Sequence, residues 1–178
     1  MSHYDWSAEF KRVYHEGAAR YRAGQTSQGK MFGEENLEFL RSIGCSAQEL
    51  FDFIEDGVRY GEPSYEDALL VTSVRREYFI HVLKGQSGGP VAEMSSLPAK
   101  SAAVDGIAWL PRLIVKARLK LLGTMPDDLM YGCGGDRPFL RRMNVPLADF
   151  LRVVWANWDN VGAVIDFFKK KAADLEKK

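Results

Sequence analysis

The chain has 178 residues, of which 46% are hydrophobic, and its 24 Lys and Arg residues balance 24 Asp and Glu residues. This composition can build a buried core, and the formal net charge of +0 argues against disorder and against a general nucleic-acid coat. No apolar run reaches the roughly 20 residues that span a bilayer, and the start lacks a signal-peptide pattern, so we expect a cytoplasmic protein with neither a membrane nor a nucleic-acid partner.

The first part of the chain predicts four amphipathic helices, because apolar residues recur three and four positions apart. Two helix starts carry a capping box, in which a serine hydroxyl and an acidic side chain each satisfy a backbone group: Ser46 with Glu49, and Ser64 with Asp67. The predicted helices run from Ser7 to Gly24, from Glu34 to Ile43, from Ala47 to Gly57 or Gly61, and from Ser64 to Gly85.

Residues 86–106 are rich in Ser, Gly, Pro and Ala and have no apolar period, which is typical of a linker. Four more helices are predicted beyond it, and the second of them is expected to be capped by Asp136. The segments are Trp109 to Gly123, Asp136 to Asn144, Pro146 to Val154, and Val161 to Phe168.

The two parts match at an offset of 100 residues: Phe39-Leu40-Arg41 falls on Phe139-Leu140-Arg141, and Leu50-Phe51 falls on Phe150-Leu151. Two amphipathic stretches can match through their common period alone, but the order of helices and loops also recurs. We therefore predict an all-α protein of about eight helices in two similar four-helix units, residues 1–85 and 107–178. The units are expected to be related by a pseudo-twofold axis, as in an isologous dimer, and to form one compact body.

The formal charge is divided unevenly along the chain. Residues 1–84 contain 10 Lys and Arg against 14 Asp and Glu, and residues 85–178 contain 14 against 10. Arg112, Lys116 and Lys120 recur four residues apart on one predicted helix. Solvated helix faces are the preferred explanation, since exposed ion pairs contribute only about 0–1 kcal/mol. Electrostatic steering between the halves or between subunits is the alternative.

One segment carries a resemblance to a known family. The run from Trp109 to Arg118, WLPRLIVKAR, followed by Leu122-Gly123-Thr124, resembles the Leu-Pro-Arg, Lys-Ala-Arg, Gly-Thr signature of the bacterial domain-of-unknown-function family 5069. Stretches 49–53, 61–64 and 74–79 are also similar to sequences of that group, whereas Tyr131 to Asp136 departs from its Cys-Pro-Leu-Asp type of loop. The resemblance implies a bacterial, cytoplasmic, helical protein and transfers no activity.

The sequence shows no spacing that is typical of a catalytic or metal centre. It has three histidines, His3, His15 and His81, and no paired CxxC, HExxH or phosphate-binding loop. The histidines are predicted to be surface or satisfied helix residues, and the two cysteines to be separate thiols. We therefore predict no metal and no cofactor.

The best candidate site is the loop before the sixth predicted helix, which gathers a thiol, a carboxylate and guanidinium groups. A helix amino end with an arginine in its first turn can bind phosphate or carboxylate. The alternative is a purely structural role: the carboxylate only caps the helix, the thiol packs in the protein interior, and the arginines face water. The candidate ligand-binding residues are Tyr131, Cys133, Asp136 and Arg137, with the repeat-matched arginines Arg12 and Arg112 as a second pair of anion contacts.

Two functions are compatible with these features. The first is a protein-interaction or self-association module, whose partner is a second copy or another protein and whose contact surface includes exposed aromatic side chains. The second is a small-molecule protein or enzyme that binds an anionic ligand in a cleft between the repeats. The aromatic candidates are Tyr60, Tyr65, Trp155 and Trp158.

Overall fold

The computed structural model describes residues 4–175, so His3 lies outside the described residues. Within that range the fold is all-α, as predicted, with nine α-helices, one turn of 3₁₀ helix and one two-stranded antiparallel sheet. The helices are α1 (Trp6–Arg22), α2 (Gln28–Met31), α3 (Glu34–Ser42), α4 (Ala47–Tyr60), α5 (Tyr65–His81), α6 (Leu110–Leu122), α7 (Asp136–Arg142), α8 (Leu147–Ala156) and α9 (Val161–Leu175).

The chain divides into two compact units, residues 1–88 and 89–178. In the first unit α1 packs against α4, and α5 contacts both. The helix faces that meet are apolar and fully buried, with Phe10, Val13, Leu50 and Ile54 at their centre. The amphipathic period of the sequence therefore builds a core of its own in this unit.

Both predicted capping boxes are present. The Ser46 hydroxyl accepts from the Glu49 amide at 3.0 Å, and the Ser64 hydroxyl accepts from the Asp67 amide at 3.1 Å. In each box the acidic side chain accepts in return from the serine backbone N–H. These contacts explain why the capping boxes in the sequence predict where α4 and α5 begin.

In the second unit α6 packs against α8, and α9 lies against α8. The segment 86–106, interpreted as a linker, contains a 3₁₀ turn at Met94–Ser96 and one strand of a hairpin. Strand β1 (Ala103–Val104) pairs with β2 (Ile107–Ala108), with Val104 opposite Ile107. The hairpin leads directly into α6, so this stretch carries short regular elements that have no apolar period.

The turn after the third helix of the first unit has a counterpart in the second. Gly44 and Asn144 both have left-handed backbones, with φ of 70° and 52°. The next amide donates to the carbonyl of Leu40 in the first turn and of Leu140 in the second, at 3.0 Å each. The internal repeat remains a prediction, and this pair of turns agrees with its offset of 100 residues.

Candidate functional site

The predicted loop folds around the carboxylate of Asp136, which is fully buried. Its Oδ2 pairs with Lys116 Nζ and accepts from the Gly132 amide at 2.9 Å, while Oδ1 accepts from Trp109 Nε1 at 2.9 Å. The expectation that Asp136 caps α7 is wrong, because Gly135 occupies the cap position and the carboxylate instead faces a buried ammonium. Asp136 is a structural counter-ion rather than a surface group.

Lys116 supplies that buried charge from the middle of α6, where it is 1% exposed. The expected solvated face is therefore wrong for Lys116 and also for Lys120, which is 2% exposed. Lys116 Nζ also donates to Cys133 Sγ at 3.3 Å. Because a buried ion pair is stable only when its remaining hydrogen-bonding groups are satisfied, the contacts of Trp109 and Gly132 are part of what keeps these charges inside.

Trp109, which donates to Asp136, has an unfavourable backbone conformation. Its φ is 73°, a region that bulky residues rarely adopt. Its ring lies against Gly135, where a Cβ atom would come within 2.5 Å of Trp109 Cζ2. The loop thus requires a glycine at position 135 and holds Trp109 in a strained conformation, which is a feature common at functional sites.

Tyr131 is buried beneath the loop, and its hydroxyl donates to the Leu147 carbonyl at 2.8 Å. Burial raises the pKa of Tyr131 well above its ordinary value, and the negative charge of Asp136 raises this pKa further. Tyr131 is therefore a neutral hydrogen-bond donor that ties the loop to α8.

The predicted arginines contact the protein itself. Arg137 Nη1 donates to the Gly132 carbonyl at 2.7 Å, and Arg112 Nη1 donates to the Pro98 carbonyl at 2.7 Å. Arg12 lies in the other unit, where it pairs with Glu9 and Glu16. The hydrogen bond from Arg12 lowers the pKa of Glu9. The structure thus brings together Tyr131, Cys133, Asp136 and Arg137, and it gives the two repeat-matched arginines different partners.

A related polar contact occurs in the first unit at the matched positions. Asn36 is 5% exposed, accepts from Arg12 at 2.7 Å and donates to Glu16 Oε2 at 3.2 Å. At the offset of 100 residues, Glu16 and Asn36 correspond to Lys116 and Asp136. In the first unit a side chain of α1 thus contacts Asn36 on α3 through a hydrogen bond. In the second unit a side chain of α6 contacts Asp136 on α7 through an ion pair.

A second polar site, which the sequence analysis did not predict, lies on α5. Arg75 is 3% exposed, and its Nε and Nη1 atoms are buried without a hydrogen-bond partner, as is Oγ1 of Thr72 one turn earlier. The guanidinium carbon lies 5.3 Å from the centre of the Phe79 ring. Burial lowers the pKa of Arg75, and the nearby charge of Glu49 opposes that shift.

Three comparisons with known proteins add no relative. No family model, no curated protein and no solved structure matches the chain. Among residues 4–175, no group of three His, Cys, Asp or Glu side chains is arranged to hold a metal ion. Over the same range, none of the helices combines the length and the apolar character that a membrane crossing requires.

Proposed function

We propose that this protein binds a small anionic ligand through Arg75 and Thr72 in the first unit. The observation that carries the proposal is the set of three buried polar atoms without partners: Nε and Nη1 of Arg75, and Oγ1 of Thr72. Each buried donor that lacks an acceptor costs about 1–3 kcal/mol, and more when the group is charged. A bound acceptor would remove this cost.

The chemistry of the site favours an oxyanion. A guanidinium group donates at several edges and forms its strongest hydrogen bonds with carboxylate or phosphate oxygens. Thr72 lies three residues before Arg75, and positions three apart are neighbours on one helix surface, so a hydroxyl can contribute to the same ligand. Phe79 supports the cation from its ring face.

Thermal melting in the presence of inorganic phosphate or acetate tests this proposal. The intact protein is expected to gain melting temperature with one of these anions, and Arg75→Met and Thr72→Val are expected to reduce the gain. Arg41→Met is the matched control, since Arg41 has a 61% exposed side chain paired with Glu34. An equal response of the wild type and Arg75→Met, or no response of the wild type, would overturn the proposal.

We propose self-association as a second candidate function, because some apolar side chains are exposed. Tyr60 is 68% exposed, Leu70 47% and Val82 44%. The first unit contains 10 Lys and Arg against 14 Asp and Glu, and the second contains 14 against 10, so unlike units of two copies attract each other. Sedimentation velocity should detect a dimer that Leu70→Glu weakens and that high salt weakens too. A monomer at all salt concentrations would contradict this candidate.

We also propose that the chain belongs to domain-of-unknown-function family 5069 and that its units arose by duplication. The first idea rests on the resemblance of the segment from Trp109 to Arg118, WLPRLIVKAR, to the signature of that family. The second is supported by the matched turns at Gly44 and Asn144. Solved structures of family members should show the same fold and the same pair of matched left-handed turns. A bacterial origin and a cytoplasmic location remain predictions.

A further inference from the structure

We propose that Cys133 and Lys116 form an oxidative cross-link, in which one oxygen atom joins the cysteine sulfur to the lysine nitrogen. The two atoms lie 3.3 Å apart, across the loop and α6. Lys116 is 1% exposed and is held in place by Asp136, so its amine cannot swing away into water. Cys133 is half-buried and belongs to no disulfide, so a small oxidant can reach its sulfur.

The distance favours a bridge that contains an oxygen atom. A direct bond between sulfur and nitrogen would require the two atoms to approach much closer than their present 3.3 Å. Inserting an oxygen between them needs less movement, because the bridging atom fills part of the present separation. The neighbouring carboxylate is also placed to take up the proton that Lys116 must lose before its nitrogen can react.

Dioxygen is the co-reactant, and the reaction balances with one molecule of it. The ammonium proton of Lys116 passes to Asp136, and one N–H bond, the S–H bond and the O–O bond break. One oxygen atom forms the new N–O and O–S bonds, and the other leaves as water with the two hydrogens. Sulfur and nitrogen give up two electrons each, and dioxygen accepts all four.

The cross-link would act as a redox-sensitive device in the loop. Oxidation replaces the charged ammonium by an uncharged bridging nitrogen and leaves the Asp136 carboxyl protonated, so the buried ion pair disappears. Thiols restore the starting state, because reduction of the bridge returns the cysteine, the lysine amine and water. The contacts of Trp109 and Gly132 with Asp136 would weaken with the loss of its charge.

Mass spectrometry of the intact protein, kept in air or under nitrogen, tests the cross-link. In air we expect a mass gain of one oxygen atom minus two hydrogen atoms, located in one peptide pair that contains residues 116 and 133, and its loss after treatment with dithiothreitol. Cys133→Ser and Lys116→Arg should both abolish the linked pair. Cys45, whose thiol donates to the Ser46 carbonyl at 3.5 Å, is the internal control and should yield no linked peptide.

Trapping with dimedone distinguishes this reaction from ordinary thiol oxidation. A dimedone adduct on Cys133 without a linked peptide, or air-exposed protein with both residues unmodified, would overturn the proposal. The wild-type protein alone gives this answer, so the test does not depend on whether the Lys116→Arg variant folds.

Discussion

Asp136 is the residue whose charge most affects the loop, because it is fully buried and faces Lys116. Asp136→Asn should lower the free energy of unfolding by about 3–5 kcal/mol, since it leaves an uncompensated ammonium inside the protein. Urea denaturation measures the change. Asp149→Asn is the control, because the Asp149 side chain is 55% exposed and its pair with Arg152 should contribute less than about 1 kcal/mol. Equal effects of the two substitutions would show that burial does not strengthen the inner pair.

Tyr131 gives a prediction about alkaline pH. Its pKa is raised in the folded protein, so above pH of about 10 the unfolded chain loses this proton while the folded chain retains it. Stability should therefore fall as the pH rises above that value. Tyr131→Phe should flatten this fall and should cost about 0.5–1.5 kcal/mol at neutral pH through the lost bond to Leu147. Denaturation between pH 8 and 11 measures both, and an unchanged alkaline slope in the variant would contradict the assignment.

At this scale the sequence predicted which loop is polar, but not which residues it uses. Cys133 and Asp136 were identified from their proximity in the chain, whereas Lys116 was assigned to a solvated face because periodic lysines usually lie in water. A buried ion pair gives no sequence signal of its own, since each member resembles a surface residue until its partner is known. Arg75 was missed because a buried arginine looks the same in the sequence as an exposed one.

Helix starts that carry a capping box are predicted best, because a cap requires particular residues. Helix ends are predicted less well: α5 ends at His81 rather than at Gly85, and α9 continues past Phe168 to Leu175. The starts of α4 and α5 follow from their capping boxes. The four-residue helix α2 and the two-residue strands β1 and β2 were not predicted, since elements this short have no period to detect. Their formation depends on the contacts of the folded unit rather than on a local pattern.

The two left-handed turns lead to a prediction for α3 and α7. Gly44→Ala should be destabilising, because its φ is 70° and the new Cβ would lie 2.5 Å from Phe79 Cγ. Asn144→Gly should be neutral or slightly stabilising, because a glycine adopts the same φ region without steric cost. Thermal melting of both variants measures this contrast. Destabilisation by Asn144→Gly comparable to that by Gly44→Ala would show that the asparagine side chain, rather than the backbone, holds its turn.

At the scale of the whole molecule, the chain consists of two compact units, and each has a core of its own. Composition and apolar period predicted two helical units within one compact body, because the pattern is interrupted between residues 86 and 106. The boundary between the two units was harder to predict. The Ser- and Gly-rich stretch predicted as a linker lies mostly in the second unit and contains strand β1, which precedes α6. A low-complexity composition marks a change of pattern and does not exclude regular structure.

Because each unit has its own core, we expect a destabilising substitution in one core to increase unfolding in that unit only. Leu50 and Phe150 occupy matched positions and are both fully buried, one in each unit. Leu50→Ala should cost about 2–5 kcal/mol and Phe150→Ala about 3–5 kcal/mol. Hydrogen exchange read by mass spectrometry should then show faster exchange in residues 1–88 for the first variant and in residues 89–178 for the second, since local opening follows the stability of each cooperative body. Equal acceleration along the entire chain in either variant would show that the two units unfold as one.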